Sequence, residues 1–243
     1  MKLRRAFVWA VEAAACAAVG TLLLGSSGST SPDSPAQVST IRTTQDLMSR
    51  ATAAVPDLTH GAQIYAQHCI GCHRSRGNAE GDRQYPQLGG QQERYLLEQL
   101  VQFVTLGRYA PKMHQILTAA DLADPQTLRD LSAYLAAQPH DPHGEHGDAH
   151  RLGRGRQIYD QSCAECHGAR GEGRAQGPIP AISGQNYTYL LTQLEGFAAG
   201  HRSRAEPAAI DAVRRLSRDD IRAVADFISR MPASLDPSYG VAP

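Results

Sequence analysis

The sequence predicts a helical protein in which one small domain is used twice. Three observations carry this. A set of residues recurs 94 positions apart through much of the chain. Apolar residues in both halves fall at the three- and four-residue spacing of a helix with one buried face. A short cysteine–histidine motif sits at the same place in each half. The 243 residues leave room for two such units. The 24 basic and 24 acidic residues balance, and no basic stripe stands out, so nothing points to a nucleic-acid partner.

Lys2, Arg4 and Arg5 precede an apolar run from Ala6 to Leu24, the charge-then-apolar order of an export signal. Residues 1–25 read as a signal peptide or an N-terminal membrane anchor. The run approaches the ~20 apolar residues that span a bilayer. Glu12 interrupts it, at a cost of roughly 3 kcal/mol near a helix centre. No small-x-small cleavage site follows Leu24, which tilts the reading towards an anchor. Cys16 reads as a small apolar filler, because Ala13-Ala14-Ala15 lacks the Leu expected of a lipoprotein signal. Either route exports the rest of the chain. Residues 26–54 are rich in Ser, Thr, Pro and Gly over most of their length and read as a flexible tether.

The repeat then organises the chain. Gly61-Ala62-Gln63-Ile64-Tyr65 matches Gly155-Arg156-Gln157-Ile158-Tyr159, and Gly77 matches Gly171. Pro86-Gln87-Leu88-Gly89-Gly90-Gln91 matches Pro180-Ala181-Ile182-Ser183-Gly184-Gln185. Tyr95, Leu96, Gln99, Leu100 and Phe103 match Tyr189, Leu190, Gln193, Leu194 and Phe197 and give an amphipathic helix in each copy. A first helix is expected over about Leu58 to His68 and again over Arg154 to Ser162. A last helix carries Leu128, Leu131, Tyr134 and Leu135 in one copy and Ile221, Val224, Phe227 and Ile228 in the other. The domains are placed at 55–139 and 153–233, with a tail over 234–243. Between them, 140–152 is a linker holding His140, His143, His146 and His150. Such tracts can bind metal, but a solvated polar linker is favoured, since no rigid scaffold fixes ligand geometry.

The motif is Cys69-Ile70-Gly71-Cys72-His73, repeated as Cys163-Ala164-Glu165-Cys166-His167. Two thiols separated by two residues sit on one helical turn, placed to add to the two vinyl groups of one porphyrin. The adjoining imidazole then lies beneath the ring with a nitrogen for iron. A thioredoxin-like reading needs a βαβ context that is absent. One zinc site shared by both pairs would need a gap of about 12 to 20 residues, far shorter than Cys72 to Cys163. A disulfide across two residues would be strained and leaves the histidines unexplained. The motif therefore calls for two covalently bound c-type haems, held by Cys69, Cys72, Cys163 and Cys166, with His73 and His167 on iron.

With these residues the repeat resembles class I cytochrome c, and the tandem pair is similar to dihaem cytochromes of the c4 type over roughly Pro56 to Met231. The resemblance implies the full fold class: all-α, two tandem cytochrome c-like domains, each a small helical bundle around a covalently attached haem. It implies a backbone carbonyl of Pro86 and of Pro180 behind each axial His. It also implies a distal Met in the loop before the last helix. Met113 stands there in the first copy, with His114 as the neighbouring fallback. The second copy has no Met in Gly200 to Asp211. Its iron is then open, bound by His201, or bound by some other group. Electron transfer is the implied function, between a quinol-oxidising complex or dehydrogenase and a terminal oxidase or reductase. The alternative is a haem enzyme or small-ligand binder working at the second haem, with the first as relay.

Overall fold

The computed structural model describes residues 35–79, 84–141, 144–175, 177–201 and 206–232. Every regular element among them is helical. The first half holds α1 (Pro35–Ala53), α2 (Leu58–Ile64), a π-helical turn (Tyr65–Cys69), α3 (Ile70–His73) and a 3₁₀ turn (Ser75–Gly77). It continues with α4 (Glu93–Val104), α5 (Pro111–Ala119) and α6 (Pro125–Ala136). The second half holds α7 (Leu152–Ser162), α8 (Ala164–His167), α9 (Tyr187–Ala198), α10 (Pro207–Arg214) and α11 (Arg218–Ser229). The signal or anchor over 1–25, Cys16 and the tail over 234–243 lie outside the described residues. Among the described residues, no helix is long and apolar enough to cross a membrane.

The caps explain where the helices begin. Asp57 accepts from the backbone N–H of Thr59 and His60 and starts α2. Asp124 accepts from Thr127, with Pro125 at the first helical position of α6. Ser217 accepts from Asp220 at the head of α11, where Asp219 and Asp220 also complement the helix dipole. Each half is then closed by one tight crossing. α2 lies on α6 at Gly61, and α7 lies on α11 at Gly155. A methyl group at either glycine would meet a backbone carbonyl of the facing helix, Asp130 or Ala223. Around these crossings lie Leu97, Val101 and Leu128 in the first half and Ile158, Val224 and Ile228 in the second, all nearly inaccessible to water.

Two expectations need correction. The tether reading fails over 35–53, which form α1. Ala51 is fully buried, and Leu47 and Met48 pack beside it on the cluster of Leu97, Val101 and Leu128. Three apolar residues at helical spacing dock the segment, although its mean composition is polar. The hydroxyl of Thr44 also donates to that of Thr105 at 3.0 Å. The second correction concerns the segments before the last helices. These are helices, not loops. Pro111 and Pro207 open α5 and α10 at the first helical position, where the missing N–H costs nothing.

Over 145–149 the interdomain linker is strapped to the second domain. The buried Asp226 carboxylate accepts from the N–H of Gly147 at 3.0 Å and of Ala149 at 2.7 Å. Arg230 donates to the same carboxylate and to the Gly147 carbonyl. His146 and His150 are exposed, whereas His140 is partly buried, and burial pulls its imidazole below the usual value.

Both motif helices end the same way. The hydroxyl of Tyr65 donates to the carbonyl of Arg74 at 2.7 Å, and that of Tyr159 donates to Gly168. The chain then turns sharply. Gly168 does so at φ 82°, ψ 163°, whereas Arg74 does so at φ 62°, ψ −173°, a region that favours glycine almost exclusively. Arg74→Gly is therefore expected to stabilise the protein by about 1 kcal/mol, the strain released less the added chain entropy of glycine. Urea denaturation of the holoprotein checks it, as a raised midpoint at unchanged slope.

Candidate functional site

The loop after each motif folds back beneath it through one repeated set of backbone bonds. Ala79 N–H donates to His73 O at 3.0 Å, and Gly173 N–H to His167 O at 2.8 Å. The Gly77 carbonyl accepts from Leu88, and the Gly171 carbonyl from Ile182. Both glycines sit at positive φ, 74° and 72°, which supplies the turn. The result brings a proline behind each motif histidine. His167 Nδ1 lies 3.0 Å from the Pro180 carbonyl. A carbonyl only accepts, so Nδ1 carries the proton and Nε2 keeps the lone pair that iron needs. A second-shell bond of this kind also fixes the ring and raises its basicity. In the first half the Pro86 carbonyl acts on His73 in the same sense. There, however, Nδ1 is buried without a well-formed hydrogen bond. The bond is thus formed at His167 and unformed at His73.

Burial pulls His73 down to about 4, with the Pro86 carbonyl working against that pull and Lys112 adding to it. Burial likewise lowers His167, opposed by the Pro180 carbonyl. Both imidazoles are thus neutral near pH 7, the form that binds a metal. Cys69, Cys72, Cys163 and Cys166 form no disulfide. Burial pushes Cys69 and Cys163 up to about 11, so both are protonated before attachment. Each half therefore presents two thiols and a neutral imidazole on one turn, and at His167 the ring is already oriented. The donor set fits haem c.

The start of α5 faces the same space. Lys112 donates to the hydroxyl of Tyr85 at 3.1 Å and feels the Cys72 thiol. The Tyr85 ring stands edge-on to His73, 5.5 Å between centroids. Met113, the next residue, is half-buried against the first-domain core. His114 is engaged elsewhere, its Nδ1 lying 2.9 Å from the Phe103 carbonyl. In the second half, His201 is exposed. Its ring lies beside that of Tyr109 in the first half, 6.3 Å between centroids.

A family model described as Cytochrome c matches residues 58–138 and 152–232, more than half of the chain. The chain belongs to the cytochrome c family. Cytochrome c4 of Pseudomonas aeruginosa is 34% identical over 193 residues, covering 73% of this chain and 93% of that protein. The crystal structure of reduced recombinant cytochrome c4 from Pseudomonas stutzeri superposes with a TM-score of 0.64 at 28% identity, covering 73% of this chain and all of the other. A thiosulfate dehydrogenase electron acceptor of Thiomonas intermedia is 26% identical over 188 residues, covering 74% of this chain and 86% of that protein. This cytochrome is accordingly a c4-like, dihaem electron-transfer protein with two covalently bound c-type haems.

Its two domains are joined by a reciprocal lock that the sequence reading missed. The side-chain amide of Gln91 donates to the Ala181 carbonyl at 2.8 Å and accepts from the Ala181 N–H at 3.0 Å. That of Gln185 donates to the Gln87 carbonyl at 2.9 Å and accepts from the Gln87 N–H at 2.8 Å. Gln91 and Gln185 are repeat equivalents, as are Gln87 and Ala181, so exchanging the halves maps one pair of bonds onto the other. This is the signature of a two-fold interface. Gln87 and Ala181 directly follow Pro86 and Pro180. The loops behind the two motif histidines are thus clamped back to back. The buried Arg108 adds a second tie. It donates to Gln99 in its own half and, in the other, to Tyr189 and to Gln193, the repeat equivalent of Gln99. The clue available beforehand was that Gln91 and Gln185 match in the repeat, where a merely solvated glutamine has no reason to recur.

Proposed function

We infer that this cytochrome is an exported, periplasmic carrier that takes electrons from a quinol-oxidising complex or a dehydrogenase and delivers them to a terminal oxidase or reductase. The observation that carries the reading is the Gln91–Ala181 and Gln185–Gln87 lock. It makes the two haem-attachment loops one unit, as suits passage of an electron from one half to the other. Similarity to a thiosulfate dehydrogenase electron acceptor supports a small-molecule dehydrogenase among the donors. The N-terminal basic and apolar sequence supports export, by a cleaved signal or a retained anchor.

When bound, haem c supplies a one-electron iron couple. The chain's own residues set its properties. Cys69, Cys72, Cys163 and Cys166 hold the rings. His73 and His167 would each give an imidazole nitrogen to iron, and Met113 would give its thioether to the iron of the first half. A thioether there favours the ferrous state and raises that potential. The Pro180 carbonyl keeps the proton on His167 Nδ1. Tyr65 and Tyr159 pin the ends of the two motif turns, which limits rearrangement between redox states.

The test uses the ferric holoprotein and bacterial membranes. Membranes supplied with quinol are expected to reduce both haems, and oxidase-containing membranes in air to reoxidise them. A protein that stays ferric with quinol-fed membranes and with a purified dehydrogenase alike would contradict the carrier role.

A further inference from the structure

We propose that Ala209 holds the distal position of the second haem, so that this iron has no sixth ligand from the protein and takes a strong-field diatomic ligand from solution, of the class of carbon monoxide or cyanide. The proposal rests on the reading of Met113 as the sixth ligand of the first haem.

The equivalence comes from the fold. α5 packs on α4 and α10 packs on α9. Both helices open with proline at the first helical position, and each is followed by a 12-residue last helix with a side-chain cap. Counted from those prolines, Met113 and Ala209 are each the third residue. A methyl group there has no lone pair and falls three heavy atoms short of a methionine. Ala208 and Ile210 on either side offer no donor either.

The other thioether and imidazole side chains of the second domain lie elsewhere. His201 stands at the repeat equivalent of Gly107, the turn after α4, and not on the distal helix. Its N–H closes the end of α9 on the Gly196 carbonyl at 2.9 Å, and its ring lies beside Tyr109. Met231 is buried in the core with Ile158, Tyr159 and Val224. Residues 202–205 contain no thioether, thiol or imidazole.

Carbon monoxide titration of the reduced holoprotein, read optically, decides the matter. One molecule bound per chain is expected. None bound overturns the proposal, since the protein then fills the site. Two bound overturns the reading of Met113, and with it the contrast drawn between the halves. Two variants separate the causes. Ala209→Met is expected to abolish binding and to double the near-infrared thioether band of the ferric protein. Retention of binding with an unchanged band would overturn the assignment of Ala209. His201→Ala is expected to leave one molecule bound. A rise from none to one in that variant would make His201 the ligand and overturn the proposal.

Discussion

Gly155→Ala is expected to destabilise the holoprotein by about 3 kcal/mol, the upper end of ordinary overpacking. The added methyl would lie 2.1 Å from the Ala223 carbonyl oxygen and 2.8 Å from both its carbon and the Phe227 Cβ. These are backbone atoms and the root of a side chain, so rotamer changes cannot clear them. α7 must therefore lift off α11. α7 leads directly into Cys163, so the lift also moves the haem-attachment turn. Guanidinium unfolding, followed by circular dichroism and haem absorbance, checks the loss, and the yield of haem attached in the second domain should fall with it. Gly61→Ala makes the same test in the first half, where the methyl would lie 2.3 Å from the Asp130 carbonyl oxygen. Near wild-type stability in both variants would show that the crossings are looser than described.

The second large effect is at the lock between the domains. Gln91→Ala strands the N–H and the carbonyl of Ala181, and Gln185→Ala strands those of Gln87. Two buried groups left without partners cost about 2–4 kcal/mol per variant. The effect should fall on the interface more than on either domain. Unfolding that is a single transition in the wild type is expected to split into two in the double variant, one per domain. Each single variant should shift the midpoint by a similar amount, because the two bond pairs are equivalent. A double variant that still unfolds in one step would mean that Arg108 and the linker strap suffice to join the halves.

What the sequence revealed follows from how local each device is. Haem attachment needs five consecutive residues, so Cys69–His73 and Cys163–His167 are legible without a fold. α4 and α9 are legible because their apolar period runs the whole helix. α1 is hidden because its docking residues, Leu47, Met48 and Ala51, are few and their partners lie some 50 residues on, at Leu97 and Val101. α5 and α10 are short and begin with proline, which in isolation reads as a break. The glutamine lock is the least legible part. A glutamine in sequence looks like surface, and its burial depends on a half-chain 90 or more positions away. The proline carbonyls occupy a middle place. The repeat marked Pro86 and Pro180, the resemblance suggested their task, and the structure places one of them on its histidine.

The most direct measurement is a spectroelectrochemical titration of the holoprotein. Two haems in one locked unit, one with Met113 on iron and one without such a ligand, predict two reversible one-electron steps per chain at different potentials, the higher from the first domain. A single one-electron step per chain, or two steps that cannot be told apart, would contradict the account.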